Sequence, residues 1–200
     1  MKNLFVILML ILLAGCKKDA VEIPVAPINS DSRDITPAYT KYGILKGAHF
    51  CDKRTIKVFT GDHISFNVKF DSTAIYKTAD PANQGDINKL YGFSEGYDNH
   101  LNSARIGWGW NNNALRLHAY TYAGGKRSFK EISTIAIGAV IPVTIHISGK
   151  KYLFSVDGKK VMLPRALNDS TVSGYWQYPY FGGDEVAPHD TYIYILDLAN

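Results

Sequence analysis

Asp62-His63-Ile64-Ser65-Phe66-Asn67-Val68-Lys69-Phe70-Asp71 is the stretch that decides the fold. Ile64, Phe66, Val68 and Phe70 fall on one side of an extended chain and polar groups on the other. That strict period of two is the mark of a half-buried β-strand. The same alternation recurs from Arg105 to Trp110, Leu115 to Tyr122, Val143 to Ser148, Tyr152 to Val156 and Tyr192 to Leu196. Between these runs stand Asn111-Asn112-Asn113, Ala123-Gly124-Gly125-Lys126, Ser148-Gly149-Lys150-Lys151 and Asp157-Gly158-Lys159. Asn and Gly accept a positive φ cheaply, so each of these predicts a hairpin reversal. No stretch downstream of the N-terminal segment shows a sustained helical stripe with caps. The pattern predicts an all-β fold of two packed antiparallel sheets, its strands joined as a meander.

Working outward, the N-terminus reads differently. Met1-Lys2-Asn3 is followed by an uncharged apolar run from Leu4 to Leu13, the pattern of an export signal. The run is short of the roughly 20 apolar residues that a spanning helix needs. Leu13-Ala14-Gly15-Cys16 resembles the lipobox of bacterial lipoproteins. The resemblance implies cleavage after residue 15 and a diacylglycerol thioether on Cys16. Burial of lipid contributes about 0.8 kcal/mol per CH₂, so two or three chains would make a lasting membrane anchor. Lys17 follows the cysteine where an aspartate would favour inner-membrane retention, so the expected place is the cell envelope at the outer membrane. Residues 16–40 are rich in Pro, Ala, Ser and Asp without periodicity and read as a tether. Residues 41–200 are then the β-sandwich domain, long enough to bury a sizeable core.

Twenty-two Lys and Arg against 18 Asp and Glu give a net charge of +4, spread along the chain. Such a mild, unclustered excess does not point to nucleic acid. Once Cys16 is acylated, Cys51 is the remaining cysteine, expected to be buried and inert.

The order of strand, Asn-rich turn, Leu115-Arg116-Leu117-His118-Ala119-Tyr120, Gly-Gly turn, Val143-Thr144-Ile145-His146-Ile147 and Tyr152-Leu153-Phe154-Ser155-Val156-Asp157-Gly158 resembles the laminin-G and concanavalin-A-like jelly-roll superfamily. Tyr180-Phe181-Gly182-Gly183-Asp184, followed by Ile193 and Ile195, is similar to its closing strands. The resemblance spans residues 42 to 198. It implies a two-sheet jelly-roll sandwich whose concave sheet is the glycan-binding side. It implies no single activity, because lectin modules, glycoside hydrolases and polysaccharide lyases share the fold.

Alternation places Arg116, His118, Tyr120 and Tyr122 opposite Leu115, Leu117 and Ala119. Arg105 is expected on the same polar surface, with Gly107 and Gly109 leaving it open. His146 is expected there too, provided that its strand shares the sheet. Aromatic rings cover the C–H patches of sugars, and arginine pairs with carboxylates, so this inventory suits a glycan. The other reading of the same face is cross-strand pairing that stabilises an exposed sheet. The segment from Asp86 to Glu95 is read as a loop folding over one edge of the surface, bringing Lys89, Tyr91 and, further on, His100.

The leading expectation is a membrane-anchored lipoprotein whose sandwich binds a polysaccharide without cleaving it. A lyase acting on an acidic polysaccharide is the alternative. It would use His100 or His118 as base, Tyr91 or Tyr120 as acid, and Arg105 against the uronate carboxylate. A structural or protein-binding envelope component is the third. Hydrolysis needs two carboxylates facing one bond. The Glu-x-Asp-x-x-Glu run of the laminarinase-like hydrolases is missing, and Glu22, Glu95, Glu131 and Glu185 are far apart in sequence. No catalytic cofactor is expected. A structural calcium ion held by Asp184 or Asp190 is considered, because many jelly-rolls carry one; solvated turn residues are the alternative.

Overall fold

The computed structural model describes residues 38–198; the predicted signal, Cys16 and most of the predicted tether lie outside them. Twelve strands are present in this span: β1 (Thr40–Ile44), β2 (Val58–Gly61), β3 (His63–Phe70), β4 (Asn88–Ser94), β5 (Asn102–Asn111), β6 (Ala114–Ala123), β7 (Lys126–Ile135), β8 (Ile141–Ser148), β9 (Lys151–Val156), β10 (Lys159–Pro164), β11 (Val172–Gln177) and β12 (Thr191–Leu198). They form two six-stranded antiparallel sheets, one in the order β1-β12-β3-β8-β9-β10 and the other β2-β11-β4-β5-β6-β7. The expected all-β sandwich is therefore the fold. The meander holds for β4 to β7 and for β8 to β10, whereas β11 and β12 return across the molecule to opposite sheets.

The deciding strand behaves as its alternation requires. Ile64, Phe66, Val68 and Phe70 are fully buried, and burial of each such side chain contributes about 1.5–3 kcal/mol. Their register sets Ile64 beside Ile145 and Phe66 beside Val143 on β8, while Phe70 meets Ile193 on β12. The facing sheet offers Ile106, Trp108, Leu115 and Leu117, all buried. Phe70 and Trp108 join the two layers at a ring-centroid distance of 5.4 Å, and Phe66 and Tyr91 at 5.2 Å. The turns also form as read: Asn112, Asn113 and Asp157 carry positive φ of 51°, 55° and 48°, and Gly124, Gly149 and Gly158 do likewise.

Two expectations fail at this level. Residues 88–94 are not a loop but the inner strand β4, flanked by β5 and β11. Its side chains are buried on both faces, so no alternation marks it. The register slips between Lys89 and Gly92, and both Leu90 and Tyr91 join the core. His146 lies on β8, in the sheet that does not contain β6, so it cannot share a face with His118 and Tyr120. It stands instead beside His63, with Asp62 3.8 Å from its ring nitrogen.

Cys51 is buried as expected, and burial pushes its thiol up to about 11. A polar knot missed by the sequence reading also lies inside. Glu95 accepts from Arg165 Nε at 2.7 Å and from Arg165 Nη2 at 2.8 Å, and from the Tyr152 hydroxyl. It ties the end of β4 to β9 and to the segment after β10.

Candidate functional site

The outer face of the second sheet is built from cross-strand rows. In one row Gln177, Gly92, Arg105, Tyr120 and Phe129 stand on adjacent strands β11, β4, β5, β6 and β7. In the next, Ser94, Ser103, Tyr122 and Arg127 do so on β4 to β7. Gly92 is required here, because a Cβ at that position would fall 2.8 Å from Arg105 Cγ and closer still to the backbone of β5. The missing side chain makes room for the arginine stem.

Above these rows is a cavity of about 530 Å³, within the roughly 300–1,000 Å³ usual for small-molecule sites. Lys89 enters it from β4, with its ammonium 4.5 Å from the Tyr120 ring centre. His100 sits on the turn between β4 and β5 with its ring edge-on to Tyr122 at 5.1 Å. Asn99, on the same turn, donates to Gln177 Oε1 at 3.2 Å. Tyr180 and Phe50 close the far rim, their rings 5.0 Å apart, and Arg54 stacks on Phe50.

Electrostatics give the cavity its character. Arg54, Lys89, Arg105 and Arg127 line it, and no Asp or Glu does. Arg105 is 6% exposed, and its Nε has no hydrogen-bond partner among the described residues. Burial pushes its guanidinium below the ordinary value, with the nearby tyrosines opposing that shift. Lys89 is lowered to about 8, first by burial and then by Arg105 and Arg127. Tyr120 is raised to about 12, chiefly by burial, and so stays a neutral phenol near pH 7. The result is a desolvated positive hollow lined with phenols and amides. An anion entering it replaces water with fixed donors.

Of the expected residues, Arg105, Tyr120, Tyr122, Lys89 and His100 meet in this cavity. Tyr91 does not: it is 2% exposed, packs on Phe66 and Trp176, and donates to Asp197 Oδ2 at 3.1 Å. Arg116 and His118 do share the outer face of β6 but line a separate cavity of about 230 Å³. There Glu131 holds Arg116 through two 3.0 Å bonds and stands 4.0 Å from His118. The expected open path over Gly107 is closed, since Ile87 lies where a Cβ on Gly107 would approach it to 2.4 Å. Burial lowers the His118 imidazole, which favours its neutral form.

Asp184 and Asp190, the residues considered for a calcium ion, make hydrogen bonds within the chain. Asp190 accepts from the Lys46 N–H at 2.8 Å, and the Asp184 N–H points to Asp86 at 3.4 Å. No cluster of three or more metal-ligating side chains occurs among the described residues.

The sequence reading missed Arg54, Arg127, Tyr180, Asn99 and Gln177. Arg127 had a signal: a two-residue reversal at Gly124-Gly125 sets it opposite Tyr122. The others reach the site through loops and through β11, which no periodicity announces.

No family model matches the chain, and no curated protein does. Solved structures do match. One, of the alginate lyase AlyC3, is 12% identical with a TM-score of 0.52 over 78% of this chain and 72% of that one. A functionally unknown protein from Saccharomyces cerevisiae is 8% identical with a TM-score of 0.51, over 80% and 85% of the two chains. At these identities the likeness speaks to fold, and the chain is a two-sheet antiparallel jelly-roll β-sandwich.

Proposed function

We propose that the cavity over Arg105 and Tyr120 binds an acidic polysaccharide, taking a uronate carboxylate against Arg105, and that the chain presents this site from a lipid anchor on Cys16. One observation carries the reading: a buried guanidinium with an unpartnered Nε in a hollow that holds three further cations and no carboxylate. A buried charge is costly when unpaired, and an incoming carboxylate is the group that relieves the cost. The rings of Tyr120, Tyr122 and Tyr180 offer apolar faces to sugar C–H patches, and Asn99 with Gln177 offers paired amides. A fold shared with an alginate lyase is compatible with such a ligand, but the cavity supports the reading by itself.

A second reading, a lyase, is favoured by the placing of His100, Tyr122 and Tyr120 beside Arg105. In β-elimination Arg105 would neutralise the carboxylate, and a base would take the proton from C5. The electron pair then forms the C4–C5 double bond as the C4–O bond breaks, and an acid protonates the leaving oxygen. Tyr120, held as a phenol, suits the acid, and His100 suits the base. Tyr91 and His118 do not line this cavity.

Titration of the full chain with an oligouronate tests both readings. The expected result is saturable binding that Arg105→Ala weakens by ~10-fold or more, since a charged hydrogen bond contributes about 1.5–3 kcal/mol. Ultraviolet absorbance from unsaturated uronate in the same cell would establish the lyase. Binding without it would establish the non-catalytic module, and absence of binding would overturn the proposal.

A further inference from the structure

Beside the cationic cavity lies a second hollow of about 460 Å³. The two share Arg54, Asn99, Trp176, Gln177 and Tyr178 as a common wall, so they are compartments of one groove. The second adds Tyr97 and Tyr175. Tyr97 is 91% exposed, and its ring lies 5.4 Å from that of Tyr175. A tyrosine so exposed gains little from the core, so its placement needs another reason. It is also held in place: the Gly96 N–H donates to Ser173 O at 2.9 Å, which fastens the Tyr97 turn to β11. At Gly96 φ is +76°, so the turn depends on glycine.

Lys57 covers the Trp176 ring at 4.7 Å and Tyr178 belongs to the shared wall, so Tyr97 and Tyr175 are the aromatic pair that this compartment adds. Among its lining residues Arg54 is the one charged group, so nothing there repels an anionic chain. Where the compartments meet, the Asn99–Gln177 amide bridge presents donors and acceptors of the kind that engage adjacent sugar hydroxyls.

We infer that Tyr97 and Tyr175 form an outer stacking position that holds a further sugar of the same acidic chain, so that the protein favours long oligomers over short ones. The inference rests on the acidic-polysaccharide reading of the first cavity and adds a length preference to it. Tyr97 supplies a ring face, Tyr175 fixes that ring and extends it, and the chain passes along the shared wall.

The test is a series of oligouronates from disaccharide to long oligomer, titrated into the full chain and into the Tyr97→Ala/Tyr175→Ala variant. Wild-type affinity should rise with length. The variant should lose about ten-fold on the long oligomers, a change of about 1.4 kcal/mol, and nothing on the disaccharide, which also reports that the first cavity is intact. Tyr97→Phe should keep the wild-type behaviour. Identical affinities for wild type and double variant at every length, or a wild-type affinity flat with length, would overturn the outer position and leave the first cavity standing. Failure of the wild type to bind any oligouronate would overturn both.

Discussion

Lys89 and Arg105 show how the site uses burial. Lys89 has an ordinary value of 10.5 and is lowered to about 8 in the folded chain. Between those values the unfolded chain holds more protons than the folded one, so this group makes stability rise with pH across that window. Ligand binding runs the other way: an anion prefers the ammonium, which is lost above about 8. Oligouronate affinity is therefore expected to fall between about pH 7 and pH 9, and Lys89→Met should flatten that fall; titration at the two pH values checks it. Arg105 stores a similar cost, because it is buried without an anionic neighbour. Arg105→Met should weaken oligouronate binding by ~10-fold or more while leaving stability unchanged or raised by ~1–3 kcal/mol in denaturant unfolding. A large loss of stability would mean that the guanidinium serves the fold.

At the scale of elements, the Glu95–Arg165–Tyr152 knot ties β4 to β9. Removing one partner of a buried charged pair leaves the other uncompensated. Glu95→Gln should cost about 3–5 kcal/mol in denaturant unfolding, with ligand affinity unchanged at temperatures where the variant stays folded. Legibility in the sequence follows the same elements. β3, β6, β8, β9 and β12 alternate in burial along most of their length, so the sequence announces them. β5 is buried on both faces, but Arg105, Gly107 and Gly109 stand between Ile106, Trp108 and Trp110, so it still alternates in sequence, and the pattern sorts Arg105, Tyr120 and Tyr122 to the outer face. β4 is buried on both faces and β7 is largely exposed along its length, so neither alternates. His146 was misplaced because a period of two gives the face of a strand but not its sheet. Tyr180 and Arg54 arrive on connecting segments, where composition carries no positional information. The aromatic content of β11, Tyr175-Trp176-Gln177, lacks a polar–apolar rhythm because all three are half-buried against the groove, Trp176 packing on Phe59 and Tyr91 as well.

For the whole molecule, the proposal is a lipid anchor on Cys16 carrying a sandwich with a positive groove among its described residues. The anchor is tested by fractionation: Cys16→Ser should move the protein from the membrane to the soluble fraction, and intact-mass measurement should show loss of the acyl mass. A variant that stays with the membrane would remove the lipid from the account. The groove is tested most directly by charge on the ligand. Calorimetric titration should compare an oligouronate with the same oligomer after its carboxylates have been reduced to alcohols. The account predicts binding of the first and a loss of at least ~10-fold for the second. Equal affinity for both would contradict it, because a neutral sugar brings no negative charge to offset the buried Arg105.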